Sequence, residues 1–290
     1  MCNNLHNYKF KNNLKCTIIN YYMNHFTYIL TPYEPIRQIK QDDLTSYHIL
    51  LEASKNDYPN LPSFNKNIFD RIGSNNTVYG IQKNIDSDEI YVEYYFYNHN
   101  EMWQNDYNTA WNTIKDALSE SIDEHLKVDI PVNFHVGMFS IDIPKNENKI
   151  SDLDIYAMES KKGNCLRWNQ NGIFRKNKYS FFYNPKEVEE EMVNRNIPNA
   201  CLLFGNYGKW NESICISLKR EKFWSIYYCQ VRIETLILFL KRLKYPKHLI
   251  EYFELNKDKL DHMLFDIGYD FNLIPGGMMN IIKGGFYGYF

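Results

Sequence analysis

Between Phe134 and Glu159 apolar and polar side chains alternate in two runs separated by the polar stretch Lys145 to Lys149. Alternation of this kind belongs to half-buried β-strands, because successive side chains leave opposite faces of the backbone. The first run puts His135, Gly137, Phe139, Ile141 and Ile143 on one face, and Phe134, Val136, Met138, Ser140 and Asp142 on the other. The second sorts Leu153, Ile155 and Ala157 against Asp154, Tyr156 and Met158. Each strand therefore has a largely apolar face that calls for a helical cover. The opposite face mixes carboxylate, hydroxyl, phenol and thioether, and suits water, a partner or a ligand.

The same reading extends along the chain. A strand fits Phe26 to Leu30, and Asp42 and Asp43 are placed to cap a helix through Tyr47, Leu50, Leu51 and Ala53. A second helix fits Ser63 to Ile72, ended by Gly73. Thr77 to Lys83 and Glu89 to Tyr97 pair around the turn Asp86-Ser87-Asp88, with Ile90, Val92, Tyr94 and Phe96 opposite Tyr91, Glu93, Tyr95 and Tyr97. Trp111, Ile114, Leu118 and Ile122 recur at helical spacing and predict a helix over Asp106 to Leu126. After the hairpin, Leu166 to Phe182 reads as another, turning at Asn171-Gly172. Pro185 suits the first turn of a helix over Lys186 to Asn194. Strands are expected at Cys201 to Phe204, Ser213 to Leu218 and Phe223 to Val231. A helical region spans Ile233 to Leu264, broken near Pro246. Strands at Phe265 to Phe271 and Met279 to Gly284 flank Pro275-Gly276-Gly277.

Strands thus arrive in closely spaced pairs, each separated from the next by helix, which predicts antiparallel pairing in an α+β fold. A doubly wound parallel sheet would need single strands alternating with helices, and no glycine-rich phosphate loop is present. The repeat of roughly 60 residues is that of a helix-and-hairpin unit used several times.

Composition narrows the function. The chain of 290 residues carries 33 basic and 35 acidic residues, interspersed, for a net charge of -2. No field of one sign invites nucleic acid or an anionic membrane. No apolar run approaches the roughly 18 residues of a membrane span, and residues 1–22 lack the apolar core of a signal peptide. A cytoplasmic protein is expected, with residues 1–22 a disordered or mis-started extension and residues 23–290 a single domain. Cys2, Cys16, Cys165, Cys201, Cys215 and Cys229 show no CxxC spacing, so reduced thiols are the simplest account. The histidines make no metal-binding spacing. The 24 tyrosines reflect either AT-rich codons or function.

Met138-Phe139-Ser140-Ile141-Asp142, followed by a strand bearing Ile155-Tyr156-Ala157, resembles a hairpin of the soluble aromatic prenyltransferases with the ABBA barrel. Phe64 to Ile72 leading into Gly73, Ser74 and Val78 is similar to that family's first helix and strand; Phe223 to Tyr227 and Phe265 to Tyr269 also fit. The likeness runs over roughly residues 40–290, by order of elements. It implies an antiparallel β-barrel or strongly curved sheet built from repeated helix-hairpin units, with helices on the outside. The lumen would hold an isoprenyl diphosphate beside a small aromatic or peptide acceptor, with no cofactor required and magnesium optional. Carried over by position, Glu93 falls near a first-strand carboxylate and Asp142 matches the acid ending the third strand; both become candidate catalytic groups. Tyr156 matches a lumen tyrosine, Lys222 and Lys283 fall near basic positions, and Ser225 falls at a polar one. With Tyr91, Tyr95 and Tyr227 they form the expected substrate-binding set. Asp154 departs from the pattern, because part of the family has a diphosphate-binding lysine there. Either Arg167, Arg175 and Lys178 substitute for it, or the ligand is not a diphosphate.

Plainer readings stand beside these roles. The tyrosines fit a solvated sheet face with cross-strand aromatic pairs, Glu93 and Asp142 fit surface or ion-paired carboxylates, and Lys222 fits a turn. Two functions follow. One is transfer of an isoprenyl group from an allylic diphosphate to a nucleophilic acceptor. The other is a non-enzymatic binding or interaction protein using the polar sheet face. A closed lumen favours the first; an open or filled sheet favours the second.

Overall fold

In the computed structural model the chain is described over residues 35–289, apart from 56, 73–76, 98–106, 119–120, 124–125, 127–134, 146–148, 151, 160–163, 170–173, 206–212 and 221. The expected extension at 1–22, the strand at Phe26 to Leu30 and the Asn171-Gly172 turn lie outside the described residues. Among the described residues ten strands are formed: β1 (Thr77–Asn84), β2 (Ile90–Tyr97), β3 (His135–Asp142), β4 (Leu153–Glu159), β5 (Asn164–Asn169), β6 (Phe174–Phe182), β7 (Ser213–Lys219), β8 (Phe223–Val231), β9 (Phe265–Ile274) and β10 (Met278–Tyr289). Each pairs antiparallel with its neighbour in sequence, and β1 also pairs with β10 from Val78 opposite Tyr289 to Asn84 opposite Lys283. The sheet is therefore a closed barrel without a free edge.

Among the described residues seven α-helices accompany it: α1 (Ser46–Ser54), α2 (Leu61–Arg71), α3 (Tyr107–Ala117), α4 (Pro185–Asn194), α5 (Ile233–Arg242), α6 (Lys247–Leu255) and α7 (Lys257–Leu260). The apolar face of β2 (Ile90, Val92, Tyr94, Phe96) and its equivalents on the other strands pack outward against buried helix residues, among them Leu50, Phe64, Trp111, Val188, Leu236 and Phe253. Trp111 of α3 lies 6.2 Å, centroid to centroid, from Phe139 of β3. The connection from α5 to α6 pins the β1–β10 seam, because Tyr245 Oη lies 3.1 Å from the carbonyls of both Ile81 and Gly284. Gly284 permits this approach. A Cβ there would lie 2.2 Å from Leu243 Cδ1.

Several expectations are corrected. Val136 belongs to the outer core with Phe139 and Ile141, not with Met138, because a bulge between Val136 and Met138 breaks the alternation. The cap of α1 is Thr45, whose amide is 3.1 Å from His48 Nδ1, while Asp43 is held by Arg37 instead. The helix expected over Asp106 to Leu126 is regular only through Ala117, with Leu118, Ile122 and Leu126 buried beyond it. Cys201 to Phe204 is not a strand: Asn199–Cys201 forms a 3-10 turn, and Tyr269 and Tyr228 bind the backbone of Cys201, Leu203, Phe204 and Gly205 with their hydroxyls. No helix among the described residues is long and apolar enough to cross a membrane.

Candidate functional site

Closure turns the mixed face of every hairpin inward. Because each odd-numbered strand runs toward the same end of the barrel and each even-numbered strand runs away from it, inward positions form layers. At the end bearing the β1–β2 and β9–β10 turns lie Gln82, Glu93, Asp142, Asp154, Arg167, Lys219, Asp270 and Lys283. One step deeper come the rings of Tyr95, Tyr156, Tyr179, Tyr227 and Tyr287; deeper still, Val78, Tyr97, Met138, Cys165, Cys215 and Cys229 fill the floor. A cavity of about 250 Å³ opens at the charged end, lined by members of the first two layers. Burial pushes the Cys165 and Cys215 thiols up to about 12, so these thiols of the floor are unreactive.

Bulges and glycines shape the walls. A register shift between Ile281 and Lys283 lets consecutive residues Ile282 and Lys283 both reach the cavity. Tyr227 lies flat over Gly268 on the adjacent strand: a Cβ at Gly268 would sit 2.1 Å from its ring. Tyr287 lies over Gly80 in the same way, at 2.9 Å. Tyr95, Tyr287 and Tyr227 form a row with centroids 6.0 and 6.3 Å apart. Burial pushes all three phenols well above their ordinary range, so they are neutral.

The charges of the mouth are matched across strands. Arg167 binds Asp154 and stacks 5.3 Å over the Tyr156 ring. Lys219 lies 2.9 Å from Asp270, which also accepts from Ser225 Oγ at 2.6 Å, and 5.0 Å over the Tyr227 ring. Lys283 approaches Glu93 at 3.7 Å, and Glu93 accepts from both Gln82 Nε2 and Tyr95 Oη. Burial pushes the Asp270 carboxyl up, but Lys219, Lys283 and Ser225 outweigh it and hold it below its ordinary value. Burial holds Lys219 below its ordinary value, and the contact with Asp270 opposes that shift in part. Asp142 faces Glu93 in register at the rim, open to water yet surrounded by protein on most sides. Burial, then Glu93, pushes it up to about 7, opposed by Arg167 and Lys283.

Of the residues expected to form the site, Glu93, Tyr95, Tyr156, Tyr227 and Lys283 line one cavity, and Asp142 stands beside it. Ser225 is buried below the lining and acts on the site only through Asp270. Tyr91 and Lys222 are elsewhere. Tyr91, opposite Gln82 of β1, lies exposed at the rim, under Lys145. Lys222 is exposed in the β7–β8 turn, over Phe223. Asp154, an obstacle to an anion when read alone, is neutralised by Arg167. Lys178, offered as a substitute cation, is exposed on the outer side of β6. Gln82, Lys219 and Asp270 went unrecognised. Their signal was alternation with Gly80, Ser217 and Gly268, which is meaningful only once the sheet is closed. Among the described residues no group of three or more His, Cys, Asp or Glu is arranged to hold a metal.

No protein-family model matches the chain, and no curated protein is significantly similar to it. The lumen itself must therefore carry the functional argument.

Proposed function

We propose that the protein transfers an isoprenyl group from an allylic diphosphate to a nucleophilic, preferably aromatic, acceptor inside the lumen, as in the ABBA prenyltransferases it resembles. The observation that carries this reading is the layering: three cations from separate strands (Arg167, Lys219, Lys283) at the mouth, tyrosine rings beneath, and an apolar floor. An amphiphile with an anionic head and a short unsaturated tail has the same polarity. In the reaction the C1–O bond of the donor breaks, diphosphate leaves with the electron pair, and the acceptor bonds to C1 as its proton passes to a carboxylate. Fixed cations stabilise the leaving oxygens. Each aromatic face offers an allylic cation about 0.5–2 kcal/mol in a dry site. Asp142, titrating near 7, is matched to proton transfer at neutral pH, and Glu93 faces the same space. If magnesium takes part, two carboxylates plus diphosphate oxygens are its usual company. The cavity lies just below the about 300–1,000 Å³ of most ligand pockets, which favours a short donor. A cytoplasmic setting belongs to the same proposal.

One observation favours a second reading. Each of the three cations already faces a carboxylate, which weakens the pull on a polyanion and suits a neutral or zwitterionic small molecule bound without chemistry. Calorimetric titration with dimethylallyl and geranyl diphosphates, with and without magnesium, separates the two. Binding of the C5 donor, followed by a prenylated product from a phenol or indole acceptor, is expected. Absence of heat and of thermal protection with both donors would leave the binding-protein reading.

A further inference from the structure

At the mouth β9 and β10 outrun their neighbours. β8 stays paired with β9 only as far as Trp224 opposite Phe271, and β1 with β10 only as far as Asn84 opposite Lys283, whereas β9 and β10 remain paired up to Ile274 opposite Met278. Asn272 to Ile274 and Met278 to Ile281 therefore stand beyond the rim as a two-stranded ribbon, about 10 Å long at the rise of a strand. The ribbon is braced from outside. Leu273 and Met279 are partly buried against the outer core, and a Cβ on Gly277 would lie 3.5 Å from Pro198.

The other face continues the cavity wall. Alternation puts Asn272 and Ile274 on the same side of β9 as Asp270, which lines the cavity, and the register shift between Ile281 and Lys283 brings their partners Asn280 and Met278 to that side as well. These side chains are open to solvent: Ile274 is 40% exposed and Met278 61%, Asn280 is exposed and Asn272 half-buried. No residue from Phe271 to Ile282 is charged. Above the charged mouth there is thus a shelf with a carboxamide pair nearest the rim and an apolar pair at the tip. The cavity beneath it, about 250 Å³, is small enough that a donor inside leaves room for only part of a second substrate.

We propose that the β9–β10 ribbon is an outer subsite for the acceptor and fixes its class: an aromatic nucleophile bearing an amide and a short aliphatic chain. The ring enters the mouth, the amide meets Asn272 and Asn280, and the chain lies on Ile274 and Met278. The inference rests on the prenyl-transfer reading. A carboxamide both donates and accepts, so an uncharged amide is its natural partner, whereas a charged tail would find no counterion on the ribbon.

The test is calorimetric titration of 4-ethylphenol, N-acetyltyramine and N-hexanoyltyramine, which add first the amide and then the chain, with and without the unreactive donor analogue dimethylallyl S-thiolodiphosphate. Wild-type protein should bind each compound about three- to ten-fold more tightly than the one before it. In the double variant Ile274→Ser, Met278→Ser the hexanoyl compound should bind no better than the acetyl one; its melting temperature checks the fold, and the wild-type series stands even if that variant does not fold. A flat wild-type series, no binding of any phenol, or a chain-length gain that survives in the double variant would overturn the subsite. A concentration-dependent dimer that the double variant abolishes, alongside a flat series, would give the tip to a second copy of the chain instead. The two readings fail separately. A rising series without binding of the donor analogue would refute the transferase reading and retain the ribbon as a ligand shelf, whereas analogue binding with a flat series would remove the shelf alone.

Discussion

Asp154 and Asp266 show how differently two inward carboxylates behave. Asp154 is spent on Arg167, so Asp154→Asn should release the guanidinium toward the mouth. We expect dimethylallyl diphosphate to bind about ten-fold more tightly to this variant by calorimetry, with a lower melting temperature because Arg167 loses its partner. Asp266, near the floor, accepts from the amide of Gln230 at 2.7 Å, and burial pushes it up to about 8. An acid whose folded pKa lies above its unfolded value of about 3.9 holds its proton preferentially in the native state. Its contribution is complete below that value and is lost as pH rises toward about 8. Asp266→Asn keeps the acceptor for Gln230 but has no proton to lose. Denaturant unfolding should find it close to wild type at pH 4 and more stable at pH 9, by on the order of 5 kcal/mol. A gap that does not widen with pH would show that Asp266 ionises freely.

Strands read most clearly where one face met helices. β2 and β8 were legible because Ile90, Val92, Tyr94 and Phe96, and the run from Phe223 to Val231, keep strict alternation or clear boundaries. Three bulges were not legible: near Gly137, at Ile282, and at Gln230, whose φ of 57° no local signal demands. Lys219 and Asp270 were equally hidden, because each lies on a strand whose neighbour in the wall cannot be known before the sheet closes, whereas Arg167 was singled out beforehand and does line the cavity. The glycines are another case. Gly268 gave no cue in the chain, yet it is the bed for Tyr227. Gly268→Ala should cost about 1–3 kcal/mol by overpacking, and adding Tyr227→Ala should recover part of it. Strict additivity in this double-mutant cycle would mean the ring has room to move. The cap of α4 was visible beforehand through Pro185, and the Asn184 side chain completes it by accepting from the Glu187 amide at 3.1 Å.

Closure is the property on which the site depends, and it is the last contact the chain can make. β1 and β10 pair across some two hundred residues, far beyond the range at which loop closure is fast. Refolding from denaturant should therefore be slow, in the millisecond-to-second range or longer, and amides of the β1–β10 seam should gain exchange protection after those of the β7–β8 hairpin. Seam protection appearing first would reverse this order. The seam also brings Ser46, at the start of α1, onto the carbonyl of Tyr289. Topologically the barrel is then a ring with an arbitrary opening. A circular permutant with Tyr289 joined by a short linker to the residues before α1, and new termini between Ser87 and Asp88 in the exposed β1–β2 turn, should retain the lumen and its ligand affinity while converting the longest-range pairing of the chain into a local one.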